Sequence, residues 1–539
     1  MVPFCRNEYK HSNNTDSFKA LAEFWKILND THNKRDVKAR FDDLVNHFKE
    51  LNHTATPYND LNSPPSSNNA FNEEFTLDEI NSTINKIKRN KSCGIDGIAN
   101  EFIIDTAATT APLITKLFNI ILNTGIVPDD WGIGIITPIF KNSGSAEDPS
   151  NYRGISILSC LSKLFTLVIN NRLTNYLDDY GILSENQAGF RKGYSPNDHI
   201  FSLKCIIDIY TQHMKKKLYC AFIDYKKAFD SVNRNKLWSK LISNGINGKL
   251  LHVIHNLYSK AKSCVKHSNG QLSSLFPSHI GVRQGDNLSP LLFALYLNDL
   301  ETDLSNKYKG LTTISNLIEN QIDLDDIVIY LKLTTLLYAD DTIILAENGD
   351  DLQIALNALN DYCTDWDLSV NTKKTKIVIF SRGKIRIIPK FSFNNKDVEV
   401  VFEYKYLGIV FNYNGKFNKA KKLLVDQGKR AMYALISKSR KLNLPIDIQI
   451  HLFDTLVMPI LLYGCEIWGF ENNDILEKLH LKFCKMILNI SKRTPSCMVY
   501  GELGRFPLSV YEELSSKTAY GPYYMFLILI CNKVSIWEI

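Results

Sequence analysis

The chain has 539 residues, 45% of them hydrophobic and 22% charged, with 26 Gly and 17 Pro. Those proportions exclude disordered, collagen-like and disulfide-scaffold classes, and at roughly 100–200 residues per domain the length holds about three compact units or one large multi-lobed enzyme. The net charge of +6 is unevenly placed: residues 373–441 carry 18 basic and 4 acidic residues, an excess of +14 that leaves −8 for the remainder, so a polyanion bound on one face is expected. Along the chain, residues 17–52 read as two amphipathic helices, with Leu21, Phe24, Trp25 and Leu28 at helical spacing in the first and Phe41, Leu44, Val45 and Phe48 in the second. Residues 54–72 are rich in Pro, Ser and Asn and make the best boundary. Thr76 opens a helix, with Glu79 three residues later as a capping box. A Gly-containing stretch at 92–98 and another helix lead to Pro128.

From residue 131 the pattern changes. Residues 135–140 are strand-like, 158–173 helical, and 218–223 (LYCAFI) form an apolar run of strand length that ends in Asp224. A helix starts near Pro290. Two short apolar runs, 336–338 and 342–345, flank Ala339-Asp340-Asp341 and predict a hairpin with two carboxylates at its tip. Residues 352–366 are again helical and 377–380 a strand. Helices interspersed with non-sequential strands give an α+β fold.

The eleven cysteines include no CxxC pair. With a polar N-terminus and no secretory leader, reduced thiols and a soluble, intracellular, non-secreted protein are expected. The longest apolar run, residues 523–531, is short against the ~20 residues of a membrane helix, so no transmembrane segment is expected.

Two places join a strand end to an acid: Asp224, and the Asp340-Asp341 pair. A hairpin turn ordinarily takes Asn-Gly or Asp-Gly, and two adjacent carboxylates there repel one another. Hard divalent cations relieve that repulsion, taking oxygen ligands from one or two carboxylates with phosphate completing the shell. If their strands are neighbours in one sheet, the three acids could hold two such ions for phosphoryl transfer; an Asp-Asp pair in a turn is otherwise ordinary solvated surface. Asp323, Asp325 and Asp326, followed by IVIYL, imitate the pattern but follow a more polar stretch and read as an acidic loop.

YADD (338–341) with FIDYKKAFD (222–230) resembles the palm motifs of reverse transcriptases. Further stretches follow in the family's order. QAGFRKGYSPNDHI (187–200) resembles its fingers motif. GVRQGDNLSPLLFALYLNDL (281–300) resembles the motif between the catalytic segments, and WDLSVNTKKTKIVIF (366–380) the one after them. YLG (406–408) is similar to the primer-grip motif. NYRGISILSCLSKLF (151–165) and MPILLYGCEIW (458–468) resemble the non-LTR, LINE-type branch. The likeness covers residues 75–515, and the 151–165 and 458–468 stretches argue against the neighbouring reading of an intron-maturase-like or telomerase-like polymerase.

The resemblance implies a right-hand fold: an N-terminal extension and linker at 1–72, fingers and an antiparallel palm sheet at 73–410, a helical thumb at 411–470, and a helical remnant at 471–539. It implies RNA-directed DNA synthesis, with Asp224, Asp340, Asp341 and the Tyr225 carbonyl binding two Mg²⁺ (Mn²⁺ as substitute). Arg191 would grip the triphosphate, where a planar guanidinium suits phosphate oxygens, or else be an exposed arginine with no ligand. Phe229 would lie under the sugar and exclude a 2′-hydroxyl; a core aromatic is the alternative. Gln284 and Gly285 would face the nascent base pair; a plain turn there is the alternative. Lys374 would protonate pyrophosphate or else belong to a solvated basic face, and Lys141 and Arg153 stand even between template or triphosphate contact and surface charge. Tyr406, Leu407 and Gly408 would clamp the primer, or simply turn a strand at Gly. Lys421, Lys422, Lys429 and Arg430 would ride on nucleic-acid phosphates.

The implied partners are an RNA template, a DNA primer or target and dNTPs, without a membrane or an organic cofactor, in the nucleus or cytoplasm. Three departures stand out. Gly154 replaces a Pro common in relatives and is expected to be tolerated. Residues 301–335 read as an acidic insertion. The ~70 residues before the polymerase region cannot hold the endonuclease usual in this branch, so the chain reads as a fragment or degenerate copy, and a binding-only relic without turnover is the alternative to an active polymerase.

Overall fold

A computed structural model describes residues 37–53, 71–184, 186–311, 335–469 and 473–511. The first predicted helix, most of the 54–72 boundary, the Asp323/Asp325/Asp326 stretch and the tail from 512 lie outside the described residues. Among the described residues no helix is long and apolar enough to cross a membrane.

Three segments of alternating or continuous apolar sequence build the centre of the molecule. β3 (Leu218–Ile223), β7 (Asp341–Ala346) and β8 (Lys376–Phe380) join β6 (Thr335–Tyr338), β9 (Phe391–Phe393) and β10 (Lys396–Val401) in one sheet of order β6-β7-β3-β8-β10-β9. Successive side chains of a strand point to opposite faces, and both faces here are covered. Ala221, Ile223, Ile344, Ala346, Ile377 and Ile379 enter one core with helices 160–179, 289–296 and 349–365. Leu218, Cys220, Phe222, Ile343, Leu345, Val378 and Phe380 enter a second core with helix 196–208 and the C-terminal helices. That double burial is why LYCAFI reads as an unbroken apolar run rather than an alternation.

The sheet expected to be antiparallel is mixed. β8 pairs β10 in parallel, because the chain leaves β8, turns through Asn394 and Asn395 (both with positive φ) and returns in β10 after β9. A second sheet, β2-β1-β4-β5, also mixes senses: β1 (Ile133–Phe140) is antiparallel to β2 (Tyr152–Ile157) and parallel to β4 (Lys262–Val265), which pairs β5 (Phe276–Pro277).

The local signals at helix ends hold. The Thr76–Glu79 capping box forms in both directions, at 2.8 and 3.2 Å. The helix Phe41–Leu51 lays Leu44 and Phe48 on the second sheet, beside Ile136, Tyr152 and Val265. Gly154 follows from that docking: a Cβ there would stand 2.7 Å from Phe48 and 2.9 Å from Ile136, so the departure from Pro is a packing requirement.

After the sheet, β11 (Glu403–Tyr406) and β12 (Ile409–Asn412) form a hairpin, followed by helices Asn418–Lys441, Ile446–Leu456, Met458–Leu461, Asp474–Ile487 and Ser496–Leu503. The long basic helix packs against helices 458–461 and 474–487, so residues on either side of 470 share one core.

Candidate active site

The register of the central strands assembles the carboxylates. β3 and β7 are antiparallel with Ile223 opposite Thr342, and one residue further along that register Asp224 stands opposite Asp341. Asp340 sits beside it in the two-residue turn between Tyr338 and Asp341, the pair that closes the β6–β7 hairpin. Asp224 and Asp341, 117 positions apart in sequence, thus meet because two apolar strands pair.

Asp224 is pinned through its backbone. Its N–H donates to Thr375 Oγ1 at 3.1 Å and its carbonyl accepts from the Asn371 N–H at 2.7 Å. Lys226 N–H donates to the Ser369 carbonyl at 2.7 Å, bridging Tyr225 to Val370. In this antiparallel arrangement the Tyr225 N–H and carbonyl are the groups turned away from the bridge. That direction suits the ligand role the family resemblance implies for the carbonyl.

The acids influence one another. Asp340 and Asp341 retain contact with solvent, yet the protein packed around them raises both carboxyl pKa values. Desolvation is the larger cause for Asp341, pushed up to about 6, followed by the charges of Asp340 and Asp224. Asp340 is raised by desolvation, and by Asp224, against a lowering pull from its own backbone and Arg153. Among the described residues no three acidic, His or Cys side chains converge tightly enough to enclose a cation alone. An open, crowded carboxylate set fits Mg²⁺, which keeps water and takes substrate phosphate into its shell.

Cations face this set. Lys141 is lowered by burial and then by the nearby charges of Lys374, Arg153 and Lys227. Asp230, raised by burial, is pulled back by Lys227, by a hydrogen bond from Gln284 Nε2 at 3.0 Å, and by Lys141 and Arg153. Lys141, Arg153, Lys227 and Lys374, from four separate segments, therefore form one positive cluster next to the acids. Sequence reasoning missed Lys227 and Asp230, although both lie inside the FIDYKKAFD stretch.

Other expected residues fall as follows. Phe229 is partly buried, stacked on Phe293 at 4.6 Å with Phe190 edge-on at 6.3 Å. Phe190 brings its neighbour Arg191 toward this area, while the Arg191 guanidinium lies over Tyr194 and donates to the Ser184 carbonyl at 3.0 Å. The Gln284 carbonyl accepts from Ser156 N–H at 3.0 Å. Gly285 has φ +108°, and a Cβ would meet the Ser156 carbonyl at 2.5 Å, so only Gly admits this approach.

Leu407 and Gly408 form the two-residue loop of the β11–β12 hairpin, both with positive φ, a I′ turn. The Tyr463 hydroxyl donates to the Leu407 carbonyl at 2.7 Å. Tyr406 does not present its ring to solvent: it is buried, with its hydroxyl 3.4 Å from His199 Nδ1. Beside it Tyr404 stacks on Phe222 at 4.4 Å, and burial with the charges of Asp341 and Asp224 pushes its phenol up to about 12. The hairpin thus packs next to the carboxylates.

On the helix Asn418–Lys441, Lys422, Lys429 and Arg430 are exposed, whereas Lys421 is 1% exposed with its ammonium 5.4 Å from the Trp468 ring. That corrects the expectation of a surface role for Lys421. Helical spacing turns it a full step inward from Lys422, and Trp468, 47 positions away, covers it. Sequence reasoning gives no role of its own to Gln187, which opens the QAGFRKGYSPNDHI stretch and is buried under the hairpin tip.

A family model described as "Reverse transcriptase (RNA-dependent DNA polymerase)" matches residues 139–411, from β1 to β12 and across every acid above. The "RNA-directed DNA polymerase from mobile element jockey" of Drosophila melanogaster is 26% identical over 424 residues, 77% of this chain and 44% of that protein. The "Probable RNA-directed DNA polymerase from transposon BS" of Drosophila melanogaster is 29% identical over 397 residues, 73% of this chain and 42% of its own length. The "Retrovirus-related Pol polyprotein from type-2 retrotransposable element R2DM", also from Drosophila melanogaster, is 25% identical over 342 residues, 61% of this chain and 30% of its length. The chain spans less than half the length of these relatives. Strand register, acid placement and the extent of the match agree: this chain belongs to the reverse transcriptase (RNA-dependent DNA polymerase) family, in its non-LTR, LINE-type branch.

Proposed function

We propose that the chain copies RNA into DNA by extending a primer 3′-hydroxyl with dNTPs, as the polymerase portion of a non-LTR retrotransposon. The observation that carries this reading is the meeting of Asp224 with Asp340 and Asp341 at one sheet edge, opposite the Lys141, Arg153, Lys227 and Lys374 cluster. Mg²⁺, with Mn²⁺ as substitute, held by the three carboxylates and the Tyr225 carbonyl, would supply charge neutralisation to the attacking and leaving oxygens. In this reading the central sheet is the palm, β1, β2 and their helices the fingers, and the helices from 418 the thumb.

The chain's own groups then have distinct tasks. Lys141, Arg153, Lys374 and Arg191 bind the triphosphate, and the Lys374 ammonium gives a proton to departing pyrophosphate as the P–O bond to it breaks. Phe229 underlies the sugar, and Gln284 and Gly285 lie against the new base pair. The Tyr406–Gly408 turn holds the primer end, its backbone rather than the Tyr406 ring meeting the strand. Lys422, Lys429 and Arg430 neutralise backbone phosphates without reading sequence. Nicked DNA supplies the primer and the element's RNA the template.

Primer extension on an RNA template with Mg²⁺ tests the assignment. Asp340→Asn is expected to lower the rate about 100-fold or more, the scale of electrostatic groups at a reacting centre. Equal rates for both proteins would overturn it. No extension by either, with salt-dependent RNA binding retained, would mark a binding protein without turnover.

A further inference from the structure

We propose that Gln187 is a positioning residue that sets the tip of the β6–β7 hairpin, and through it the placement of the Asp340 and Asp341 carboxylates. The turn Ala339-Asp340 has φ +58° at Ala339, while Asp340 is not among the residues with positive φ. Positive φ at the first loop position alone is the pattern of a II′ turn, whose first position ordinarily takes Gly. An alanine there is strained and needs surrounding structure to hold it.

That structure comes from residues 186–189. Gln187 is 0% exposed, and its Oε1 accepts from the Ala339 N–H at 3.0 Å and the Gly189 N–H at 2.9 Å. Two N–H groups converging on one atom fix it as the oxygen, since the amide NH₂ cannot accept. The Leu337 N–H donates to the Asn186 carbonyl at 2.9 Å, and the Ala188 N–H to the Leu337 carbonyl at 3.0 Å, so the segment runs along β6 as an added strand edge. Gly189 lies so close that a Cβ would stand 2.3 Å from the Ala339 nitrogen. The turn's N–H is thus held by a side chain, and its space is shaped by a glycine.

Packing alone does not account for Gln187. Its Nε2 is buried with no hydrogen-bond partner among the described residues; an apolar side chain of similar volume would fill the space without that stranded NH₂, but would leave the Ala339 and Gly189 N–H groups unpaired. Its oxygen serves the turn. The proposal rests on reading Asp340 and Asp341 as metal ligands.

Mn²⁺ binding to the full chain, followed by electron paramagnetic resonance, tests it together with thermal melting and steady-state extension. Gln187→Leu leaves the Ala339 and Gly189 N–H groups without their acceptor and is expected to melt somewhat lower, but, at a temperature where it is fully folded, to bind Mn²⁺ about 10–100-fold more weakly, the effect of losing a group that orients a ligand. The turnover number should fall while the KM for dNTP stays unchanged. Adding Ala339→Gly, which takes the turn without strain, should restore most of the Mn²⁺ affinity. If Gln187→Leu does not fold, Gln187→Met, closer to Gln in length and likewise without an amide oxygen, carries the same expectation. Wild-type Mn²⁺ affinity in the folded variant overturns the positioning role alone. Wild-type protein that binds no Mn²⁺ overturns the metal reading and this role with it.

Discussion

Phe229 is held by packing, and in the proposed polymerase reading the same ring underlies the sugar. Its ring is stacked on Phe293 and met edge-on by Phe190, so its position is set by packing on both sides, while part of it stays open. A rigidly placed ring can exclude an extra hydroxyl only because it cannot turn aside. Phe229→Ala is therefore expected to raise ribonucleotide incorporation relative to deoxyribonucleotide incorporation, measured by competing rNTP and dNTP in primer extension; an unchanged ratio would remove Phe229 from the sugar site. Lys421 and Lys422 make the opposite point. They are adjacent and chemically identical, yet one lies under Trp468 and the other in solvent. A basic run in sequence does not say which of its charges faces a phosphate.

The β6–β7 hairpin is the element on which the proposed chemistry rests. It brings two carboxylates to one tip and aligns a third across β3; the pKa of Asp341, raised to about 6, follows first from the loss of solvent there and then from the charges of Asp340 and Asp224. A carboxyl whose pKa is higher folded than unfolded holds its proton more tightly in the fold. Folding then loses stability as pH rises from the unfolded value of 3.8 through about 6, and the loss persists above that. Metal-free protein in EDTA is accordingly expected to melt at a lower temperature at pH 8 than at pH 5, over and above the response of the Asp340→Asn variant. Mg²⁺ should raise the melting temperature more at pH 8 than at pH 5, where Asp341 holds its proton. A Mg²⁺ effect equal at both values would show that these acids are not its site. The β11–β12 hairpin beside them is fixed differently, by a I′ turn and the Tyr463 hydroxyl.

In the whole molecule, one sheet divides two cores, and the acids lie at its edge where both meet solvent. The N-terminal helix Phe41–Leu51 belongs to this architecture: the Tyr152 hydroxyl accepts from the Lys38 N–H at 3.2 Å, and Phe48 covers Gly154. The overall charge of +6 hides its layout, with the basic excess following the acids in sequence. Replacing Lys422, Lys429 and Arg430 together by Ala is expected to flatten the dependence of log Kd on log salt for an RNA–DNA duplex. The slope should change by about 0.9 for each phosphate no longer neutralised, if the duplex behaves as B-DNA does. Lys421→Ala should instead lower thermal stability and leave that slope alone. An unchanged slope in the triple variant would place the nucleic acid elsewhere.

Much of this is local and therefore legible before folding. The strand of LYCAFI, the hairpin at YADD, the Thr76 capping box and the order of the family motifs depend on residues a few positions apart, where periodicity and turn chemistry act. The three carboxylates were legible for the same reason, each ending or turning an apolar strand. Meetings across long separations were not. The parallel pairing of β8 with β10 depends on how a connection returns, the cluster of Lys141, Arg153, Lys227 and Lys374 draws on four segments, and Gln187 meets Ala339 across 152 positions. No local preference encodes them: apolar burial brings the strands and helices together, and the strand register then decides which polar groups face one another.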